Sequence, residues 1–303
     1  MESTAASTQA DLDYALLTQQ QMDGPINWIF AAPIAAFHVL SIVALFYFRW
    51  SSLLVFAIMW FFCQNVGIAV GYHRLLTHRG YAVPKWLEYF IAICGTMALQ
   101  GSPIFWVAVH RVHHQLTDKP GDPHSPRDGT YWSHMGWIIR GSFHNDNRLL
   151  AKYAPDLARD PVYVWLGRFK LLPLIVVAAG LFFGGRYVGG STLGWSWVLW
   201  GVFLRATVGL HVTWLVNSAT HLWGSRRFPT RDDSRNSWWV ALLTGGEGWH
   251  NNHHAHPVSA RHGLTWYELD INYWCIQALA AIGLAKKIVV ASPDGSTRTL
   301  QPR

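Results

Sequence analysis

Four long apolar stretches organise the chain. Trp28–Phe48 runs 21 residues without a charge, and Leu53–Gly71 runs 19. Leu171–Gly185 extends back across Lys170 and Arg168, whose long stems can snorkel to an interface. Thr192–Asn217 is interrupted only by Arg205. Each approaches the ~20 residues with which an α-helix crosses ~30 Å of hydrocarbon. The links Arg49–Ser52 and Arg186–Ser191 are short, so the pattern predicts two helical hairpins with spans at about 28–48, 53–71, 166–185 and 192–217. Trp86–Ala98 is shorter and contains a Glu, which fits an interfacial or buried helix. Trp274–Val290 reads as an amphipathic helix that ends in Lys286 and Lys287. Residues 1–26 carry acids but no Lys or Arg, so they read as a mobile or surface-lying tail rather than a secretory signal. Residues 27–290 then form one membrane domain, with 291–303 as a C-terminal tail.

Composition agrees. Only 14% of residues are charged, against about 25% in soluble domains, which excludes an ordinary cytosolic enzyme and makes this an all-α integral membrane protein. The excess of 24 Lys+Arg over 17 Asp+Glu is unevenly spread. The segment 72–160 holds ten Lys/Arg and the part after Asn217 holds nine, while the two short turns hold only Arg49 and Arg186. The positive-inside rule then puts 72–160, 218–290 and both termini on the cytoplasmic side. Nothing resembles a nucleic-acid module. Cys63, Cys94 and Cys275 are isolated and suggest no disulfide framework.

The 16 histidines are the anomaly. Nine cluster on the predicted cytoplasmic side: His73 and His78, then His110, His113 and His114, then His221, then His250, His253 and His254. Each H-x-x-H-H run puts three imidazoles on one helix face. His73 and His78 stand about 140° apart at 3.6 residues per turn, so they converge only near a helix end. Neutral imidazole binds zinc, copper, iron and nickel. Nine ligands suit two ions with four or five each. The clusters contain no Cys and no carboxylate pair, unlike structural zinc sites or Glu-rich di-iron bundles. Oxygen activation on a lipid, lipid hydrolysis and metal transport all remain open, with oxygen chemistry favoured because the clusters lie at helix ends rather than at the midplane. His38 and His211 lie within spans and are ambiguous between function and plain hydrogen bonding. His124, His134, His144, His256 and His262 read as groups around the ligands or at the surface.

The motif text is more specific still. GYHRLLTHRGY, HRVHHQLTDKPGDPHSPRDGTYWSHMGW, TWLVNSATHLWG and GEGWHNNHHAHPVSARHG resemble the membrane fatty acyl desaturases of the Δ9 branch over roughly residues 28–290. The resemblance implies four transmembrane helices capped by a cytosolic helical domain that holds a di-iron centre. It implies O2 and two external electrons, removal of two hydrogens from an acyl chain, and a cis double bond. The nine histidines would then be the iron ligands, and Asn217 would hold a metal-bound water. Trp106, Trp137, Trp214 and Trp249 adjoin the motifs and are candidates to line an acyl tunnel, with aromatic packing as the alternative. Glu247, Asp118 and Asp122 are candidates to orient imidazoles. Arg205 is expected to pair with a neighbouring acid such as Asp270. Animal acyl-CoA members carry Arg-Asp immediately before the first histidine of the central box; this chain has Ala108 and Val109. An acyl lipid is therefore expected as substrate, ahead of acyl-CoA, with Arg140 and Arg148 free to meet an anionic headgroup. The electron donor implied is a ferredoxin, or a small b-type cytochrome with its reductase. A lipid hydroxylase on the same scaffold and a metal-binding or transport protein are the alternatives.

Overall fold

The computed structural model describes residues 22, 24–141, 150 and 152–300. The tail reading for 1–26 falls largely outside them, as do His144 and Arg148. Three helical runs are long and apolar enough to cross a membrane: α1, Trp28–Phe46; α2, Trp50–Thr77; and the run Leu172–Leu222. The last begins with α5, Leu172–Val198, and ends in α6, Arg205–Asn217, followed by a short turn of helix. Within α5 the backbone leaves the helical region at Gly189 and Gly190, and Gly190 takes a φ of 81° that favours glycine. The run therefore turns back at that pair, within the predicted Arg186–Ser191 link. Its start differs from the expectation. Asp160 caps a separate helix, Pro161–Arg168, and the chain turns before Leu172, so Arg168 and Lys170 lie outside the span.

Hydrogen bonds from small and indole side chains stitch the two hairpins together. Ser41 Oγ donates to Thr207 Oγ1 at 2.8 Å, Ser52 and Ser196 hydroxyls meet at 2.6 Å, and Trp200 Nε1 donates to the Ala44 carbonyl at 2.8 Å. Such bonds join helices in lipid, where apolar burial supplies little drive. Outward-facing Val39, Ile42, Leu45, Ile175 and Val176 remain exposed, as a lipid-facing surface requires.

The lower part of α2 carries the architecture into the site. From Phe61 to Thr77 it is wound as a π-helix, a rare form found mostly at functional sites. Helix α3, Lys85–Thr96, packs against it so closely that a Cβ on Gly67 would lie 2.3 Å from the Gly95 nitrogen. One face of α3 is buried, while Trp86 and Phe90 stay exposed. Helix α4, Pro103–Leu116, starts on a Ser102 cap with Pro103 in its first turn and carries the central histidines.

The rest of the cap is made of short helices, including α7, Trp238–Thr244, α8, His250–Ala255, and α9, Ile271–Ala281. Here the all-helical expectation needs correction. The helix expected over Trp274–Val290 stops at Ala281, and Gly283 follows at a φ of 76°. The β-branched run then forms β1, Ile288–Ala291, paired antiparallel with β2, Thr297–Leu300, across the boundary set at residue 290. β1 clamps the loops around the site: Val289 N donates to the Gly80 carbonyl and Ala260 N to the Val289 carbonyl, both at 2.8 Å.

Arg205 also departs from expectation. It is fully buried in α6, but its guanidinium meets the Gly201 and Met97 carbonyls at 3.2 and 3.0 Å, not an acid. Asp270 instead lies 2.9 Å from Arg74 Nη1. The sequence supplied two opposite charges but no rotation for the elements that carry them.

Candidate metal centre

All nine clustered histidines come together, and they divide into two groups. His73, His78, His110, His114 and His253 form one; His113, His221, His250 and His254 form the other, each with ligand atoms within 4.8 Å of one another. Adjacent positions of one helix thus serve different groups: α4 gives His110 and His114 to the first and His113 to the second, and α8 divides likewise.

The π-winding explains the first pair. An α-helix would splay His73 and His78, but the π register places residue i+5 over residue i. The His78 amide donates to the His73 carbonyl at 3.1 Å, and the two rings lie 4.9 Å apart.

Carboxylates fix the rings from behind. His73 Nδ1 donates to Glu247 Oε2 in a short bond. His113 Nδ1 meets both oxygens of Asp122 at 2.9 and 3.1 Å, and His221 Nδ1 lies 2.8 Å from Asp118 Oδ2. The three acids singled out in the sequence therefore each hold a different ring. A fourth was missed: Asp232 Oδ2 accepts from His254 Nδ1 at 3.1 Å. Nothing in the RDDSRNS text marks it, because the partner lies 22 residues away. Each such bond keeps the proton on Nδ1 and turns the Nε2 lone pair inward. Glu247 is itself held by Arg74 Nη2 at 2.6 Å and Asn272 Nδ2 at 2.9 Å. Burial alone would raise its pKa, yet the Arg74 charge and then neighbouring imidazoles hold it well below the usual carboxylate range.

The inward nitrogens crowd. His253 Nε2 stands 3.0 Å from both His73 Nε2 and His114 Nε2, and His114 Nε2 is 3.1 Å from His110 Nε2. In the second group His250 and His221 meet through Nε2 at 3.1 Å. Burial, and then the neighbouring imidazoles, push His78, His110, His114, His250 and His253 well below the ordinary imidazole value, and His254 falls to about 4. These six rings are therefore neutral at neutral pH, whereas the carboxylates beside His113, Asp122 first, push that ring's pKa up against its burial. Buried His78 Nε2 and His254 Nε2 have no hydrogen-bond partner among the described residues. Converging lone pairs without protons repel unless a cation lies among them. Two nitrogens about 2.1 Å from one ion and at right angles are about 3.0 Å apart, which is the spacing found. The donor sets fit two transition-metal ions.

Both groups open on one cavity. His73, His110 and His250 line its upper end, and Trp60, Ile68 and Val216 line it towards the spans. Trp106 lines it too, stacked on His110 at 4.9 Å, with Nε1 donating to Gln100 Oε1 at 3.2 Å. The other three tryptophans lie elsewhere. Trp137 packs 5.3 Å from His124, Trp214 packs on His134 and His211, and Trp249 donates to the Leu269 carbonyl at 2.8 Å. Arg140 donates to the Gly24 carbonyl at 2.6 Å, beside a separate open cavity with Tyr131 and Trp132. Asn217 closes α6, four residues before His221.

The remaining histidines sort by partner. His262 is buried 3.4 Å from Glu247 and stacks near His253, and His124 lies against His113 at 4.4 Å. His256 packs on Phe228, away from both groups. His134 and His211 join one another instead.

A family model described as Fatty acid desaturase matches residues 47–284. The chain is 48% identical over 275 residues to an sn-2 palmitoyl-lipid 9-desaturase of Nostoc sp., covering 90% of this chain and 93% of that one. It is 44% identical to an sn-1 stearoyl-lipid 9-desaturase of Anabaena variabilis, covering 88% and 95%. An acyl-CoA C20 Delta5-desaturase of Anemone leveillei is 37% identical over 300 residues, with 96% and 94% covered.

Proposed function

The chain belongs to the fatty acid desaturase family and is an oxidoreductase acting on fatty acyl chains; we propose that it places a cis double bond at the Δ9 position of saturated chains carried on membrane lipids. The names of the two cyanobacterial relatives support both the bond position and the lipid-linked substrate. Ala108 and Val109, apolar and buried where animal acyl-CoA members carry Arg-Asp to hold their headgroup, support the lipid-linked substrate. The electrons come from an external ferredoxin or b-type cytochrome.

The carrying observation is that two imidazole groups, each with a mouth on one apolar cavity, face the same space. In this reading the five-histidine and four-histidine groups each hold one iron ion, and Asn217 holds a bound water. The two ions, with O2, supply the oxidant that removes two hydrogens from an unactivated chain. The protein residues do the rest. Glu247, Asp118, Asp122 and Asp232 fix the tautomers, so the nine nitrogens point inward before any ion arrives. Arg74 pins Glu247 and so ties α2 to the cap. The cavity walls hold an acyl chain in one conformation near the histidines and exclude water from it, and Trp106 shapes the passage beside His110. The turn at Gly189–Gly190 divides the third apolar run into two spans, which gives four in total, with the termini and the metal groups on the cytoplasmic side as the Lys/Arg distribution requires.

The test is expression in a desaturase-deficient host with a supplied electron donor, followed by lipid extraction and double-bond location by mass spectrometry. New Δ9 cis-monoenes are expected with the native chain and none with His253→Ala. Hydroxylated chains, or an unchanged lipid profile with the donor present, contradict the proposal.

A further inference from the structure

A second histidine constellation lies outside the metal groups. His38 of α1, His211 of α6 and His134 of the π-turn Trp132–Gly136 are linked end to end. His38 Nδ1 donates to the Ile34 carbonyl at 2.7 Å, and His38 Nε2 meets His211 Nε2 at 2.8 Å. His211 Nδ1 meets His134 Nε2 at 3.0 Å, and His134 Nδ1 meets Ser218 Oγ at 3.1 Å. Ser218 Oγ also lies 2.8 Å from the Trp214 carbonyl. His211 offers its two nitrogens to opposite neighbours, so no single ion takes both: this is a line, not a cage.

Counting hydrogens gives the line a property. It has five contacts, and each needs one hydrogen. Three neutral imidazoles and one hydroxyl supply four. Both ends are carbonyls, which only accept. The neutral line is thus one hydrogen short, and a single added proton completes all five bonds while remaining free to move among the three rings. No acid lies on α1, on α6 or in residues 132–140. The cations of these segments, Arg205 and Arg140, are bound to the carbonyls of Gly201, Met97 and Gly24. Nothing there fixes the added proton on one ring. The line ends at Ser218, next to Asn217, and the Ser218 carbonyl accepts from the His221 amide at 3.2 Å.

Desaturation needs protons. Two C–H bonds break and a C=C bond forms; O2 accepts two electrons from the acyl chain and two from the donor; two hydrogens from the chain and two solvent protons complete two waters. We propose that His38, His211 and His134 form a one-proton store that delivers a solvent proton, through Ser218, to the reaction at the metal groups. This role rests on the desaturase reading above. Burial holds His134 below the ordinary imidazole value, against the pull of the Trp214 backbone.

The test uses the full chain in lipid nanodiscs. Glutamine at position 211 keeps a donor and an acceptor but has no proton to pass on. His211→Gln is expected to keep its iron content and melting temperature while turnover falls roughly tenfold or more. Exchange of H2O for D2O is expected to slow the variant more than the native chain, because proton delivery then limits the variant's turnover. His38→Gln, at the far end of the line, serves if His211→Gln does not fold. A second readout is independent of turnover. In 15N-histidine NMR of the zinc-substituted chain, the three rings are expected to titrate together and take up one proton, and His38 and His134 to titrate separately in His211→Gln. Wild-type turnover in an iron-loaded His211→Gln, or three independent titrations in the native chain, overturns the store. A native chain that makes no double bond overturns the desaturase reading and the delivery role with it, while the shared titration is still decided by the NMR.

Discussion

Two sets of histidines in one chain behave as different materials. In the cap, nine rings converge, and four of them have a carboxylate behind Nδ1. Between α1, α6 and the π-turn, three rings stand in line, nitrogen to nitrogen, with no carboxylate against any of them among the described residues. A carboxylate fixes the tautomer and aims a lone pair, which suits a metal. His211, whose two nitrogens meet only other rings, has no fixed tautomer, which suits a mobile proton. Histidine content alone tells nothing; the group on the far side of the ring decides.

The comparison breaks most directly at His253, whose Nε2 is 3.0 Å from two other inward nitrogens. His253→Ala is expected to abolish desaturation and empty the five-histidine group, read by lipid mass spectrometry and iron content. Next come the carboxylates. Asp232→Asn should weaken iron binding about tenfold and Glu247→Gln nearer 100-fold, measured by chelator competition. The larger effect at Glu247 follows because its loss also strips a buried partner from Arg74. A variant of either acid that binds iron as tightly as the native chain would remove the distinction drawn here.

Acid sharpens the same contrast. His254 and His262 titrate near 4 in the folded chain, because of burial above all, against about 6.5 in an unfolded one. Between those values the unfolded state binds more protons. The contribution of these two groups to the stability of the metal-free protein is therefore flat above about pH 6.5 and falls as the pH drops towards 4. Its melting temperature should be lower at pH 5 than at pH 7.5, and bound iron should narrow the gap until protons displace it. The smallest effect is expected at His256, whose ring packs on Phe228 and which meets His253 only through its backbone amide: His256→Ala should change stability by about 0.5 kcal/mol or less and leave iron content unchanged.

Much of this was legible in the chain. The H-x-x-H-H runs carry an i, i+3, i+4 spacing that only needs a helix, and the nine histidines they helped identify are the nine that gather. Two sets of four or five were expected from the count, but which histidine joins which set was not legible, because it depends on which side of α4 and α8 faces each group. The His73–His78 pair looked poorly aligned because 3.6 residues per turn was assumed, and the π register of α2 changes that arithmetic. Asp232 was hidden since a loop acid has no periodicity. Arg205 was paired with Asp270 on charge alone, although the two belong to different layers. By contrast, the signals that Trp274–Val290 breaks were present and outweighed: Gly283 marks a helix end, and Ile288-Val289-Val290 favours a strand.

The central claim is that each of the two imidazole groups holds one ion. Iron per chain in the purified protein, measured by plasma mass spectrometry alongside His250→Ala, tests it most directly. The account predicts two irons per native chain and fewer in the variant. One iron or none in an active native chain, or an unchanged two in His250→Ala, would contradict it.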